Sequence, residues 1–435
     1  MTNPVTGIRI GKNRLTLLGL ITLIVLLALI VFGIIMAVLH FAGGPEQQGV
    51  IAKATATNSL TAVGGDESAE PTAIPTPTPT PAPVMRSATI RSLGEIAMQQ
   101  NLLYSVVNEN EYNFAEMFTE IDTAMGAADY TVGDVEGSMG GVATTSGSSR
   151  LVTPPSLIQV LLDCGVDMLT VANDHALDGG VEDQQAELQN LRDAGMDYIG
   201  GASSAEEKAE PKIVRINGIN VGFLAYTESL NGNERSVPAS YAFCVNLITR
   251  TTSAANDVQA LRDAGADVVV AYVSWGDMLA RRYTENQVAI ANILCRAGAD
   301  VIIGYNPHVI QPATWLESTG ADGNVHRTLC LGATGNFLSD QRAQFADSGV
   351  IFQFTIQEVE EGRFAITEPC YVPTYVWRTE VEGETAKYRY RTLAVGQWLD
   401  ETPEGMSDED AARMRQVWQE AQAIIPADVA TAIAQ

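Results

Sequence analysis

The sequence predicts an α/β domain with helices packed outside central sheets, held outside a cell membrane by one transmembrane helix and a linker. Three observations carry that expectation. From about residue 87 onward, short apolar runs alternate with stretches of helical periodicity. Two helix-to-strand joins repeat the same residues, Ala264-Gly265-Ala266-Asp267 and Ala297-Gly298-Ala299-Asp300, and Cys164-Gly165-Val166-Asp167 does so more loosely. Residues 15–39 form an apolar run without a charge.

The N-terminal elements follow from charge and length. Residues 1–14 contain Arg9, Lys12 and Arg14 and no acidic residue, which places this tail in the cytoplasm. At about 1.5 Å per residue, 15–39 is long enough to cross a hydrocarbon core of about 30 Å. A cleaved signal peptide is the rival reading, but its apolar region runs to about 7–15 residues. Residues 40–86 are a Pro/Thr-rich linker, too poor in large apolar side chains to build a core, and end in Pro71-Thr72-Ala73-Ile74-Pro75-Thr76-Pro77-Thr78-Pro79-Thr80-Pro81. Alternating Pro-Thr favours an extended spacer of about 3.1 Å per residue. The main domain is therefore expected outside the cytoplasm, on a single-pass anchor.

Composition excludes some classes. The chain has 435 residues, 26 Lys+Arg against 52 Asp+Glu, and a formal charge of −26, which argues against nucleic acid as a partner. Hydrophobic residues at 46% and charged residues at 18% exclude wholesale disorder. Five cysteines without a CxxC pair argue against a disulfide scaffold or a zinc knuckle.

Within the domain, strands are expected at 88–93, 130–132, 167–172, 219–226, 267–273, 300–303, 328–331, 350–359 and 364–366. Helices are expected at 114–128, 156–164, 181–194, 253–264, 285–297 and 407–424. The 114–128 helix rests on one apolar stripe of Phe114, Met117, Phe118, Ile121 and Met125. The domain is bounded at 87–378, with 379–435 as a C-terminal extension carrying a polar helix.

In such sheets ligands gather beyond the strands' carboxyl ends. The polar groups expected there are Glu95, then Asp134 and Glu136, then Asn173-Asp174-His175 with Asp178. Later come Ser274-Trp275-Gly276-Asp277, Asn306 and His308, and Gly335-Asn336-Phe337. Carboxylate, amide and imidazole donors from separate loops suit a hard divalent cation. Each also has a plainer reading: Gly-Asp as turn chemistry, Asn173-Asp174-His175 as a helix cap, His308 and Trp275 as packing.

The order of these loops resembles the bacterial capsule-synthesis CapA family, also called poly-γ-glutamate synthesis proteins. The resemblance runs from about 88 to 345, with 369–376 similar to the family's usual end. It is strongest at Val171-Ala172-Asn173-Asp174-His175-Ala176-Leu177-Asp178-Gly179-Gly180 and at Gly335-Asn336-Phe337. It implies a metallophosphoesterase-like four-layer α-β-β-α sandwich. It also implies metal ligands among Glu95, Asp134, Glu136, Asp174, His175, Asn306 and His308. Catalytic roles would fall to His175, His308 and Asp178, and substrate contact to Trp275, Asn173 and Asn336. The departures count as well. Glu95 stands for the family's Asp, Asp174 for its second Asn, and Ser274 and Asn306 for two imidazoles.

Two functional readings follow. One is an accessory protein with a degenerate metal site, in capsule or anionic exopolymer synthesis or export, working with other membrane capsule-synthesis proteins. The other is an active metal-dependent hydrolase or transferase on a surface polymer or phosphoester. The lost imidazoles favour the first; the retained Glu136, His175, Asp178 and His308 favour the second. One divalent ion, Mn²⁺ or Mg²⁺, or none, is the cofactor expectation.

Overall fold

The computed structural model describes residues 9–10, 13–14 and 85–431, apart from 109–110, 142–149, 250–253, 320–322 and 383–385. The chain divides into two compact units, Met1–Thr80 and Pro81–Gln435. In the first, Arg9–Ile10 pairs antiparallel with Asn13–Arg14. The expected membrane span and the expected linker up to residue 84 lie outside the described residues, and Arg86, at the linker's expected end, pairs with Glu358 of the domain. Among the described residues, no helix is long and apolar enough to cross a membrane.

In the second unit the strands of the two main sheets are β1 (Ser87–Ala97), β2 (Tyr130–Glu136), β3 (Met168–Thr170), β4 (Asp197–Ile199), β5 (Ile213–Ile216), β6 (Ile219–Thr227) and β7 (Val268–Ser274). They continue as β8 (Val301–Tyr305), β9 (Ala313–Thr319), β10 (Val325–Leu331), β11 (Asn336–Leu338), β12 (Ser348–Glu360), β13 (Arg363–Glu380), β14 (Tyr388–Ala394) and β15 (Ala430–Thr431). The main helices are α1 (Ser156–Asp163), α2 (Val181–Ala194), α3 (Ala254–Asp263), α4 (Glu285–Ala297) and α5 (Asp408–Ile424). One sheet runs β14-β13-β12-β1-β2-β3-β4, with β11 beside β1 and β15 beside β13. The other runs β9-β10-β8-β7-β6-β5.

Side-chain alternation assigns the layers. In β7, Val268, Val270 and Tyr272 enter the core between the sheets, while Val269, Ala271 and Val273 pack outward. The outward set meets Val258 and Leu261 of α3 and Ile290 and Leu294 of α4. The first sheet does the same: Ala88, Ile90 and Val132 face the second sheet, and Leu93, Val135 and Leu169 meet Leu157, Leu161, Leu188 and Leu191 of α1 and α2. The result is a helix–sheet–sheet–helix sandwich.

Several expected elements change, and the strand expected at 364–366 runs over Arg363–Glu380, across the expected boundary at 378. β2 continues to Glu136 and β1 to Ala97, so Asp134, Glu136 and Glu95 are strand residues and not turn residues. The glycine that reads as a turn, Gly94, serves close approach instead. A Cβ there would lie 2.6 Å from the Gly335 carbonyl oxygen, and the next amide, Glu95 N–H, donates to that oxygen at 2.9 Å. The 114–128 helix splits into a 3-10 turn, Phe114–Met117, and a short helix, Asp122–Gly126, although its apolar stripe is buried as expected. The Thr119 hydroxyl bonds the Ala115 and Glu116 carbonyls and competes with the helical ladder there. The segment 379–435 contributes β14, paired with β13, and α5, whose Met414 and Val417 pack on Tyr375, Trp377 and Leu393. The five cysteines are all free thiols.

Candidate metal centre

Parallel register brings the polar strand ends into line. Glu95 is opposite Asp134, and Asp134 opposite Thr170, in the first sheet; Ser274 is opposite Tyr305 in the second. The β1–β2 register shifts between Ser92 and Glu95, a local irregularity of the kind that re-aims a side chain. Beyond β3, Asn173 folds the next turn onto β2. Its Oδ1 accepts the Gly137 and His175 amides at 3.0 and 3.1 Å, and its Nδ2 donates to the Val135 carbonyl at 3.1 Å. Beyond β8, Asn306 and His308 both hold positive φ, 91° and 59°, around Pro307. Glu95 Oε1 receives the Asn306 amide at 2.7 Å, and the Pro307 carbonyl receives the Leu279 amide at 2.8 Å, which pins that strained turn.

Two imidazoles are held in the same way. His308 Nδ1 lies 2.9 Å from Glu95 Oε2 and 3.1 Å from Asn336 Oδ1, both acceptors, so Nδ1 carries the proton. His175 Nδ1 lies 2.6 Å from Asp178 Oδ2, which also accepts the Leu151 amide at 2.7 Å. The two Nε2 atoms then face one carboxylate: Glu136 Oε1 is 3.5 Å from His308 and 3.7 Å from His175. Ligand atoms of Glu95, Glu136 and His308 lie within 4.8 Å of one another, as do those of Glu136, Asp174 and His175. The first group is deep, with side chains 1%, 4% and 3% exposed. The second is shallower, with His175 at 21% and Asp174 at 15%. The centre meets solvent on that side.

The donor set fits a hard divalent ion. It supplies carboxylate oxygens and Nε2 atoms whose rings are oriented by hydrogen bonds from the far nitrogen, the arrangement that metal-ligating histidines take. Glu136 Oε2 is buried without a hydrogen-bond partner, a costly state that a cation relieves.

Electrostatics agree. Burial, then Glu95, pushes the Asp134 carboxyl well above its usual range. Burial pushes Glu136 up to about 7 despite both imidazoles. Burial alone would lower the two histidines; Glu136 and Glu95 instead raise His308 to about 10, and Asp178, Glu136 and Asp174 raise His175 to about 9. All these shifts mean that the metal-free fold binds more protons than the unfolded chain. A raised histidine contributes stability below its unfolded pKa and loses it as pH rises through the folded one. A raised carboxyl costs stability as pH climbs past its unfolded value. The thermal midpoint in chelator is therefore expected to fall steadily from about pH 5 to about pH 9. A flat or rising midpoint across that range would refute the reading.

Several expected roles are reassigned. Asp134 belongs to neither ligand group; its Oδ1 accepts the Thr170 hydroxyl, and it lies under the centre as a buried carboxyl. Asn306 acts through its backbone amide on Glu95, and its Nδ2 donates to the Gly276 carbonyl at 2.8 Å. Trp275 is 1% exposed and donates its indole N–H to the Gly332 carbonyl at 2.8 Å, so it packs and offers no face to substrate. Asn173 and Asn336 are also buried, and they orient loop and imidazole respectively; Asn336 Nδ2 donates to the Ala346 carbonyl at 2.8 Å. His308, tied at Nδ1 and 3% exposed, is placed to hold an ion and not to exchange protons with solvent. Sequence reasoning missed Thr170 and Asn231, which touch Asp134 and Asp174; no local pattern marks either. A recess of about 540 Å³ opens elsewhere, between Tyr198, Lys212, Phe223 and Asn246, and no residue of the centre lines it.

The sequence model of the bacterial capsule synthesis protein family PGA_cap matches residues 89–341, which spans every residue of this centre. The chain belongs to that family. Among curated relatives, this capsule synthesis family member is 23% identical over 278 residues to the capsule biosynthesis protein CapA of Bacillus anthracis, covering 62% of this chain and 64% of that protein. It is 23% identical over 262 residues to the PGA biosynthesis protein CapA of Bacillus subtilis, covering 58% and 64%. The match thus spans less than two thirds of either relative's length. Among solved structures, a calcineurin-like phosphoesterase, YfkN, from Bacillus subtilis is 13% identical with a TM-score of 0.39, covering 78% of this chain and 98% of that one. A 5'-nucleotidase precursor from Thermus thermophilus gives 13% and 0.40, covering 78% and 59%. These likenesses are too loose to carry a functional argument.

Proposed function

We propose that the chain is a membrane-anchored, extracytoplasmic capsule-biosynthesis protein whose Glu136-centred site holds a hard divalent ion and acts on an anionic surface polymer or its phosphoester. The observation that carries the metal reading is Glu136: two oriented imidazoles face one of its oxygens, and the other is buried and unpartnered. The polymer reading draws on the capsule and PGA biosynthesis proteins that the chain resembles, and the anchor on the apolar run at 15–39.

Glu95, Glu136 and His308 would hold the ion on the deep side, with Asp174 and His175 towards solvent. A bound divalent ion supplies Lewis-acid polarisation of the scissile centre. The chain's own contribution is orientation and proton movement. Asp178 fixes the His175 tautomer, so Nε2 is the atom that takes or gives a proton at the shallow face. The buried strand ends around Glu95 and Glu136 exclude water from the deep side.

A second reading, an accessory protein with a degenerate site, is favoured by Ser274 and Asn306. Ser274 is 3% exposed, and Asn306 is bonded to the protein's own backbone. One complementation series separates the readings. Deleting the chain from its host is expected to remove anionic polymer from the cell surface, and the full chain should restore it. A chain lacking residues 15–39 should fail, and so should Glu136→Ala. Restoration by Glu136→Ala would establish the accessory reading, and unchanged polymer in the deletion strain would sink both.

A further inference from the structure

We infer that Asn231 is a positioning residue that aims Asp174 into the centre; this rests on the metal reading above. Asp174 follows β3 in the first sheet, and Asn231 follows β6 in the second. The Asn231 Nδ2 donates to Asp174 Oδ2 at 2.9 Å, and the same oxygen stands 3.9 Å from His175 Nε2. An ionised carboxylate only accepts, so the amide must present its NH₂ group and the bond has a single sense.

Asn231 is exposed, yet the turn that carries it is pinned. Its φ is 52°, in the left-handed region that asparagine tolerates. Its amide donates to Ser229 Oγ at 3.0 Å, and the Leu230 amide donates to Glu234 Oε1 at 2.6 Å. The Leu230 side chain is 1% exposed and sits in the core between the sheets. At the turn's base, the Glu228 amide donates to the Ser274 carbonyl at 2.9 Å, and Glu228 Oε2 accepts the Gly276 amide at 2.8 Å. A side chain on so fixed a backbone can hold a neighbour's rotamer. Asp174 is the most solvent-facing carboxylate of the two ligand groups, and a free rotamer there would swing towards water. The bond from the opposite sheet keeps it towards Glu136 and His175, as outer partners of metal ligands do.

The test uses Asn231→Gly in the full chain, because glycine keeps the positive φ and deletes only the amide. Mn²⁺ binding is followed by calorimetry, and the thermal midpoint is measured in chelator. Mn²⁺ affinity is expected to fall about 10- to 100-fold, with the metal-free midpoint unchanged. In an Asp174→Ala background, Asn231→Gly should add nothing further, because its target is gone. Wild-type affinity in Asn231→Gly would overturn the inference and leave the metal reading standing. Additive losses, or a midpoint that falls with the affinity, would assign Asn231 to loop stability and overturn it too. No Mn²⁺ binding by the wild type would remove the metal reading and the inference with it.

Discussion

Glu136→Ala is expected to weaken Mn²⁺ binding by more than about 100-fold, beyond the loss typical of an outer-partner change. Glu136 is the one residue shared by the two ligand groups, so its removal breaks both. It also removes the carboxylate that both Nε2 atoms face. Calorimetric titration of the wild type, Glu136→Ala and His326→Ala checks this. His326 Nε2 bonds the Ala299 carbonyl at 2.9 Å, away from the centre, so that change should leave affinity intact. Equal loss from both variants would mean that binding responds to general damage, and retained binding in Glu136→Ala would place the ion elsewhere.

Gly304→Ala is expected to destabilise the protein by about 3 kcal/mol, at the upper end of overpacking effects. A Cβ at this position would fall inside van der Waals contact of the Gly332 carbonyl oxygen and of Trp275 Nε1, which bond each other at 2.8 Å. Neither neighbour can yield cheaply: one is backbone beyond β10, and the other is a fully buried indole. Gly304 lies on β8, two residues before Asn306 and four before His308. The strain should therefore also reach the deep ligand group and lower Mn²⁺ affinity. The denaturation midpoint and a Mn²⁺ titration on the same preparation measure both effects. An unchanged midpoint would show that β8 and the Gly332 segment separate without cost, and would contradict the packing described.

The centre's geometry bears on the choice between an enzyme and an accessory protein. The imidazoles expected at 274 and 306 are absent, but the two that remain are not stray. Each is held at Nδ1 by a carboxylate and turned so that Nε2 meets Glu136. A site drifting away from metal use has no physical reason to keep a carboxylate with one oxygen facing two such rings and the other buried and unpartnered. His175 is partly exposed and His308 is buried, so the two rings stand in different surroundings.

Much of the scaffold was legible because hydrophobic periodicity is a local property. The helix at Val181–Ala194 is legible to the residue, and its end is marked by Gly195 in the left-handed region. The strands of the inter-sheet core show as apolar runs because both their faces are buried, and Val268–Ser274 is the clearest case. The short strand Asp197–Ile199 and the edge strands Ile213–Ile216 and Ala313–Thr319 were not legible, because half-exposed edges carry a weak pattern.

By itself, the sequence determined the α/β alternation, the acidic balance, the absence of a cysteine framework, and a set of seven candidate donors: Glu95, Asp134, Glu136, Asp174, His175, Asn306 and His308. Only the tertiary structure decided how those donors are shared. It made Glu136 common to both groups, turned Asp134 and Asn306 into supports, sank Trp275 into packing, and brought Asn231 across to Asp174. The physical reason is that residue type and spacing report propensities along one chain segment. A ligand set depends on register between strands, on backbone approach at Gly94 and Gly304, and on hydrogen bonds between segments far apart in the chain. Those are set when two sheets pack, and no local stretch of sequence encodes them.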